Sequence, residues 1–210
     1  MESKFNLSIN NGLLKICIMS IFIVISSSMN FGQTIDRKAI LVIDIQENLV
    51  NPNSKIHIDT LGIDLFFRNL NKTISQFNDN KDLVIYVVNE WTNPFMNWAT
   101  GNVCKKGSDG VGLDKRLVLV NNNIYSKTKS NALTNKDLLK DLRDNKITDV
   151  YIMGLLAEGC VKATVKGLRQ EKFNVTVIED ALGSKSIANK IKVIDYLHEN
   201  GIKTIRTQEK

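Results

Sequence analysis

The chain predicts an α/β domain, a three-layer sandwich in which helices flank a mostly parallel, roughly six-stranded sheet. Six short apolar runs are the first reason. They are nearly continuous rather than alternating, which fits strands buried on both faces. Helical-period segments lie between them, and strand–helix alternation is the pattern of parallel βαβ units. Composition is the third reason. With 210 residues, 43% of them hydrophobic, and only 2 Pro, the chain can build one sizeable core and is not a disordered or collagen-like chain.

Residues 38–45 form the first run and carry Asp44 near its end. Phe66, Leu70, Ile74 and Phe77 recur at helical spacing before Asn78, Asp79 and Asn80 end that helix. Residues 83–88 are the second strand. A Gly- and Asn-rich irregular stretch follows from 89 to 112 and holds Trp91, Phe95 and Trp98. Long irregular segments of this kind are often functional. Residues 117–124 are expected as the third strand. Thr134 and Asp137 have the spacing of a capping box ahead of Leu138, Leu139 and Leu142. Residues 149–154 form a strand, and a helix from about Cys160 carries Val161, Val165 and Leu168 on one face. Residues 173–178 form another strand. Ile187, Ile191, Ile194 and Leu197 line the next helix, which Asn200 and Gly201 can terminate. Residues 202–205 are the last strand.

The first 33 residues read as an export signal rather than as fold. Lys4 and Lys15 precede a short apolar core at 16–25, and Ser26, Ser27 and Ser28 follow it. The core is shorter than the roughly 20 residues a membrane span needs; the competing reading is an uncleaved anchor. The expected location is therefore periplasmic or secreted, with a single domain over 34–210 and no stable membrane association once the signal is removed. Cys17 leaves with the signal. Cys104 and Cys160 remain, and in an oxidising compartment they could pair.

Several function classes drop out. The net charge of +6 comes from scattered lysines without interleaved aromatics, so nucleic acid is not an expected partner. Only two histidines exist, His57 and His198, which disfavours Ser-His-Asp and Cys-His relays and His-bearing zinc sites. Absence of a Cys-x-x-Cys pattern disfavours a thiol redox protein.

In parallel α/β sheets ligands bind beyond the carboxyl ends of the strands, and polar residues there are the ones to inspect. Asp44 interrupts an apolar strand, and a buried carboxylate needs a partner or a protonation role; a turn residue or a phospho-acceptor are the other readings. Cys160 follows a strand by a short loop, where free helix amides would lower its pKa; alternatively it is a small packing residue. Lys127 and Lys129 share one strand face, and spacing does not choose between them. Together these positions supply a nucleophile, a base and a cation.

Three segments resemble the isochorismatase-like cysteine hydrolases, the family of nicotinamidases and N-carbamoylsarcosine amidases. Leu41 to Gln46 resembles its strand ending in Asp-x-Gln. Lys127 to Leu133 resembles its Lys segment, in which Lys stands five residues before Ala, and this selects Lys127. Gly154 to Thr164 resembles its glycine, Cys-Val and Ala-Thr block. The resemblance implies a Rossmann-like sandwich and an Asp44–Lys127–Cys160 triad. Backbone N–H groups of Leu156 and Cys160 would form an oxyanion hole, with a cis peptide before Leu156. The substrate would be a small amide or ureide, cleaved through a Cys thioester without a cofactor, and the protein a homo-oligomer. Gln46, Trp91, Phe95 and Trp98 are candidate pocket residues; the aromatics could instead anchor the loop or cover a subunit interface. The Asn89–Pro94 region lacks the histidines of the metal-binding nicotinamidases, so no metal is expected. Asn131 and Leu133 depart from the family's Ser and Phe. A catalytically silent binding domain on the same fold is the alternative.

Overall fold

A computed structural model describes residues 37–207 apart from 57, 60 and 61. The export signal expected at 1–33 and His57 lie outside the described residues. In chain order the elements are β1 (Arg37–Ile43), α1 (Glu47–Val50), α2 (Ile63–Asp79), β2 (Leu83–Asn89), α3 (Pro94–Thr100) and β3 (Ile124–Lys127). They continue with α4 (Lys136–Asp144), β4 (Ile147–Gly154), α5 (Lys162–Gln170), β5 (Asn174–Leu182), α6 (Ile187–Glu199) and β6 (Lys203–Ile205).

Among the described residues six strands form one sheet, ordered β3-β2-β1-β4-β5-β6, with every neighbouring pair parallel. Ala39, Leu41 and Ile43 of β1 enter one core layer with Leu138 and Leu142 of α4, Val165 and Leu168 of α5, and Leu197 of α6. Ile40 and Val42 enter the other layer with Phe66, Leu70 and Ile74 of α2. This two-sided burial is why the run at 38–45 is apolar without alternation. Each such Ile, Leu or Phe contributes about 1.5–3 kcal/mol when fully buried. The chain winds outward from β1 through β2 to β3, then returns to lay β4 against β1. The strand order reverses there, the point beyond whose strand carboxyl ends open parallel sheets bind their ligands.

Four local expectations are corrected. Residues 117–123 are not strand; the third strand begins at Ile124. Their backbone is held by side chains instead of a ladder, with Val118 N–H donating to Asn71 Oδ1 at 2.9 Å and Val120 N–H to the Tyr86 hydroxyl at 3.1 Å. The stretch 89–112 contains α3, capped by Asn93, whose Oδ1 accepts from Met96 N–H at 3.1 Å, with Pro94 in the first turn. An Asn cap followed by Pro is a start signal already legible in the chain. Asn135, not Thr134, caps α4 by accepting from the N–H groups of Asp137 and Leu138. Helix α6 buries Lys190, Val193 and Leu197, whereas Ile187 and Ile191 are exposed beside a groove of about 760 Å³ shared with Leu65 of α2. Gly201 does end α6 in the left-handed region, at φ 66°.

Candidate active site

Three strand ends converge because their registers align. Ile43 pairs with Val87 and with Gly154, and Asn89 pairs with Lys127. Asp44 leaves β1 at φ 56°, a left-handed conformation that Asp tolerates better than most residues. Its N–H donates to Val87 O at 2.8 Å, which fixes the turn. Gly154 ends β4 at φ 118°, and a Cβ on it would lie 2.1 Å from Ile43 O. Glycine is therefore required for the two strand ends to approach. Leu155 N–H then donates to Ile43 O at 2.9 Å.

The next residues, Ala157–Val161, form a π-helical turn, a geometry frequent at functional sites. Cys160 lies inside this turn, and α5 starts after it at Lys162; the expectation that the helix begins at Cys160 is corrected to that extent. The turn is stitched to the loop after β5. Ala157 N–H donates to Gly183 O at 2.9 Å, and the Glu158 carboxylate accepts from Ser184 Oγ at 2.7 Å and Lys185 N–H at 3.0 Å. These bonds hold the Glu158 carboxyl below its ordinary range, against the effect of burial.

Lys127, the last residue of β3, donates from Nζ to Asp44 Oδ2 at 2.9 Å and to Cys160 Sγ at 3.3 Å. The Lys127 and Asp44 side chains are 0% and 2% exposed, while Cys160 is only partly buried. Lys129 lies exposed beyond the strand. The structure thus brings Asp44, Lys127 and Cys160 together and separates the two lysines that spacing left equivalent. The following segment is fitted to its own residues. Asn131 Oδ1 accepts from Leu133 N–H at 2.9 Å, Ala132 N–H donates to Thr164 Oγ1 at 3.0 Å, and Leu133 is buried. Gly167 of α5 makes room for Asn131, since a Cβ there would lie 2.4 Å from its Nδ2.

Electrostatics set the resting protonation. Burial raises the Asp44 carboxyl above its ordinary range, although Lys127 and the hydrogen bond to Cys160 pull it down. Lys127 is held above the usual ammonium range; burial opposes this, but the charges and hydrogen bonds of Asp44 and Cys160 prevail. Burial and the neighbouring Asp44 charge push the Cys160 thiol up to about 12, despite Lys127. The expected low thiol pKa is corrected: a partly buried sulfur beside a carboxylate rests as the neutral thiol, and ionisation requires a base.

The N–H of Leu156 has no backbone acceptor among the described residues, while its carbonyl accepts from Gly159 and Val161. It precedes the turn that carries Cys160. No cis peptide occurs among the described residues, so the expected cis bond before Leu156 is absent. Gln46 does not face an open pocket. It is fully buried, donating from Nε2 to Asn89 O at 3.0 Å and accepting at Oε1 from Asn89 N–H at 2.8 Å. Its amide braces β1 to β2. Trp91 is partly buried against the core, and its N–H donates to Cys104 O at 2.6 Å. Phe95 and Trp98 are 69% and 75% exposed on α3, their ring centroids 6.1 Å apart. They do not anchor the loop to the core. Cys104 is buried, its thiol pushed up to about 12 by burial and by the Asp44 charge, and both described cysteines are free thiols. Sequence reasoning missed Asn89, a buried polar residue at the carboxyl end of β2; the same criterion that selected Asp44 could have found it.

A family model described as Isochorismatase domain matches residues 38–209. The isochorismatase family protein YddQ of Bacillus subtilis (strain 168) is 24% identical over 164 residues, 76% of this chain and 85% of that protein. The crystal structure of N-carbamoylsarcosine amidase from Thermoplasma acidophilum superposes with a TM-score of 0.68 at 22% identity, covering 83% of this chain and 98% of that one. A cysteine hydrolase from Pseudomonas syringae pv. phaseolicola 1448A gives a TM-score of 0.74 at 15% identity, covering 81% and 89%.

Proposed function

Because this chain belongs to the isochorismatase family, we propose that it is a cysteine hydrolase that cleaves a C–N bond of a small amide or ureide. The observation that carries the reading is Lys127 Nζ standing 2.9 Å from Asp44 Oδ2 and 3.3 Å from Cys160 Sγ. A buried cation bridging a carboxylate and a thiol supplies base, nucleophile and charge stabiliser without histidine.

In this mechanism Asp44 takes the thiol proton as Sγ attacks the carbonyl carbon. The raised carboxyl suits this role, because a base whose pKa approaches the operating pH transfers protons best. Lys127 offsets the negative charge that forms on sulfur. The N–H groups of Leu156 and Cys160 receive the oxyanion. The C–N bond then breaks, and the proton held by Asp44 goes to the leaving nitrogen. Asp44 next takes a proton from water, whose oxygen attacks the thioester carbon. The acid departs and the proton returns to sulfur, restoring the free thiol.

Export through the N-terminal segment is part of the proposal and rests on Lys4, Lys15 and the apolar core at 16–25. N-terminal sequencing of the mature protein tests it, and a protein that starts at Met1 in the cytosol overturns it. The hydrolase reading is tested with Cys160→Ala, Asp44→Asn and Lys127→Ala variants on a panel of small amides. Turnover should fall below detection in the Cys160 variant, and full retention there ends the reading.

A further inference from the structure

Helix α6 inverts the usual pattern of a surface helix. It turns Ile187 and Ile191 outward, 45% and 54% exposed, and buries Lys190 to 8% exposure. The inversion has a cause in the sheet. Strand β6 stops at Ile205, the register partner of Ile178, while β5 runs on to Leu182. The edge of β5 beyond β6 is served by side chains from two helices instead of a strand. Asn69 Nδ2 of α2 donates to Asp180 O at 3.0 Å, and Lys190 Nζ of α6 donates to Leu182 O at 2.9 Å.

Between these helices lies the groove of about 760 Å³, a volume in the range of roughly 300–1,000 Å³ that small-molecule sites occupy. Each helix lends it one stripe at helical spacing: Leu65, Arg68, Asn69 and Lys72 from α2, and Ile187, Lys190, Ile191 and Ile194 from α6. The walls are thus apolar with cations set among them. Arg68, Lys72 and Lys190 form no ion pair among the described residues. The two carboxylates on the lining are engaged elsewhere. Glu179 faces Arg206 at 3.7 Å, and Asp180 Oδ1 accepts from Thr207 N–H at 2.9 Å and Thr207 Oγ1 at 3.0 Å.

Lys190 carries the argument. A buried ammonium needs a counter-charge and acceptors for three N–H donors. Its one hydrogen bond is to a neutral carbonyl. Burial holds it below the ordinary ammonium range, although Asp180 and Glu179 favour the charge from a distance. An anion arriving from the groove would supply what the fold leaves out. Residues 187 to 194 span roughly 10 Å of helix at about 1.5 Å per residue, the reach of a medium-length alkyl chain.

We propose that this groove is a second ligand site, separate from the Cys160 site, for a free amphipathic monoanion. The alkyl chain lies along Leu65, Ile187 and Ile191, and the carboxylate head meets the Lys190 ammonium, with Arg68 and Lys72 adding positive charge. The carboxylates of Glu179 and Asp180 on the same lining disfavour a head of higher charge. The inference is independent of the hydrolase reading.

Calorimetric titration of the full chain with decanoate, below its micelle concentration, tests it. Decanoate should saturate one site. Decanol, which has the chain without the charge, should bind at least about tenfold more weakly, the ratio a hydrogen bond to a charged group supplies. Lys190→Met and the double variant Arg68→Gln/Lys72→Gln should each weaken decanoate by at least about tenfold and change decanol by less than about threefold. Ile191→Glu should abolish both. Carboxamidomethylation of Cys160 should leave decanoate binding unchanged. Should Lys190→Met fail to fold, the double variant decides, because Arg68 and Lys72 are not buried. Equal affinity for decanoate and decanol, an unchanged affinity in the folded double variant, or loss of binding on Cys160 modification overturns the inference. So does an absence of binding, and sedimentation velocity then shows whether a second copy of the chain covers the groove instead.

Discussion

Replacing Lys127 with Met removes one half of a fully buried ion pair and leaves the other half in place. Asp44 would then sit 2% exposed, without the ammonium now 2.9 Å away. Breaking a buried pair in this way costs about 3–5 kcal/mol, because the remaining charge is uncompensated. The loss has a ceiling, since Asp44 can escape by taking up a proton. Its ordinary pKa is 3.8. At about 1.4 kcal/mol per pH unit, the roughly three units to neutrality allow a deficit of about 4 kcal/mol at pH 7. The sign is determined. A carboxyl whose folded pKa is raised binds protons more readily in the folded state, so its penalty is absent below the unfolded pKa and grows as pH rises. Lys127 itself, with a raised folded pKa, contributes stability present below its unfolded value of 10.5 and lost above its folded one; between pH 4 and 8 it adds no slope. Urea unfolding at several pH values checks this. The deficit of Lys127→Met relative to the unmodified protein should shrink towards pH 4 and reach its full size near neutrality. Adding Asp44→Asn should recover most of the stability at pH 7 with no recovery of activity. A flat deficit below about 1 kcal/mol across this range would refute the assignment of a buried charged pair.

Three further outcomes follow from the same site. The acid limb of kcat/KM should lie above the ordinary carboxylate range, because in the proposed mechanism Asp44 must be ionised to take the thiol proton and burial raises its pKa. Alkylation of the free enzyme's Cys160 should rise by roughly tenfold per pH unit through pH 8–10, as a thiol held at about 12 demands; a plateau near pH 7 would mean a resting thiolate. Gly154→Ala should cost at least about 3 kcal/mol in thermal unfolding, since the added carbon meets Ile43 O at 2.1 Å in a backbone region hostile to side chains. A variant that unfolds like the unmodified protein would remove Gly154 from the site's construction.

The layer order and most strands were legible from pattern, because burial on both faces leaves an uninterrupted apolar run and residues 38–45, 83–88 and 149–154 carry one. Residues 117–123 looked similar and are not strand. The N–H groups of Val118 and Val120 there donate to the Asn71 side chain and the Tyr86 hydroxyl, which lie distant in sequence. Helix α3 was announced by Asn93 and Pro94 but overshadowed by the glycines and asparagines around it. Asp44, Lys127 and Cys160 were recognisable as polar residues in family-like segments, yet spacing alone left Lys127 and Lys129 equivalent. The sheet chose between them by ending β3 at Lys127 and burying it against Asp44.

The same division runs through the chemistry. Residue types and local order follow from short-range sterics and apolar periodicity, and the chain carries these along its length: where strands run, where they stop, and that a thiol, a carboxylate and an amine stand near their ends. Protonation does not follow from them. A cysteine ahead of a helix suggests a lowered pKa, whereas this one sits within a π-helical turn, pushed up to about 12 by burial and the charge of Asp44. Desolvation and Coulomb interactions depend on distances of a few ångströms between residues 33 and 83 positions apart, and those distances exist once the strands have aligned.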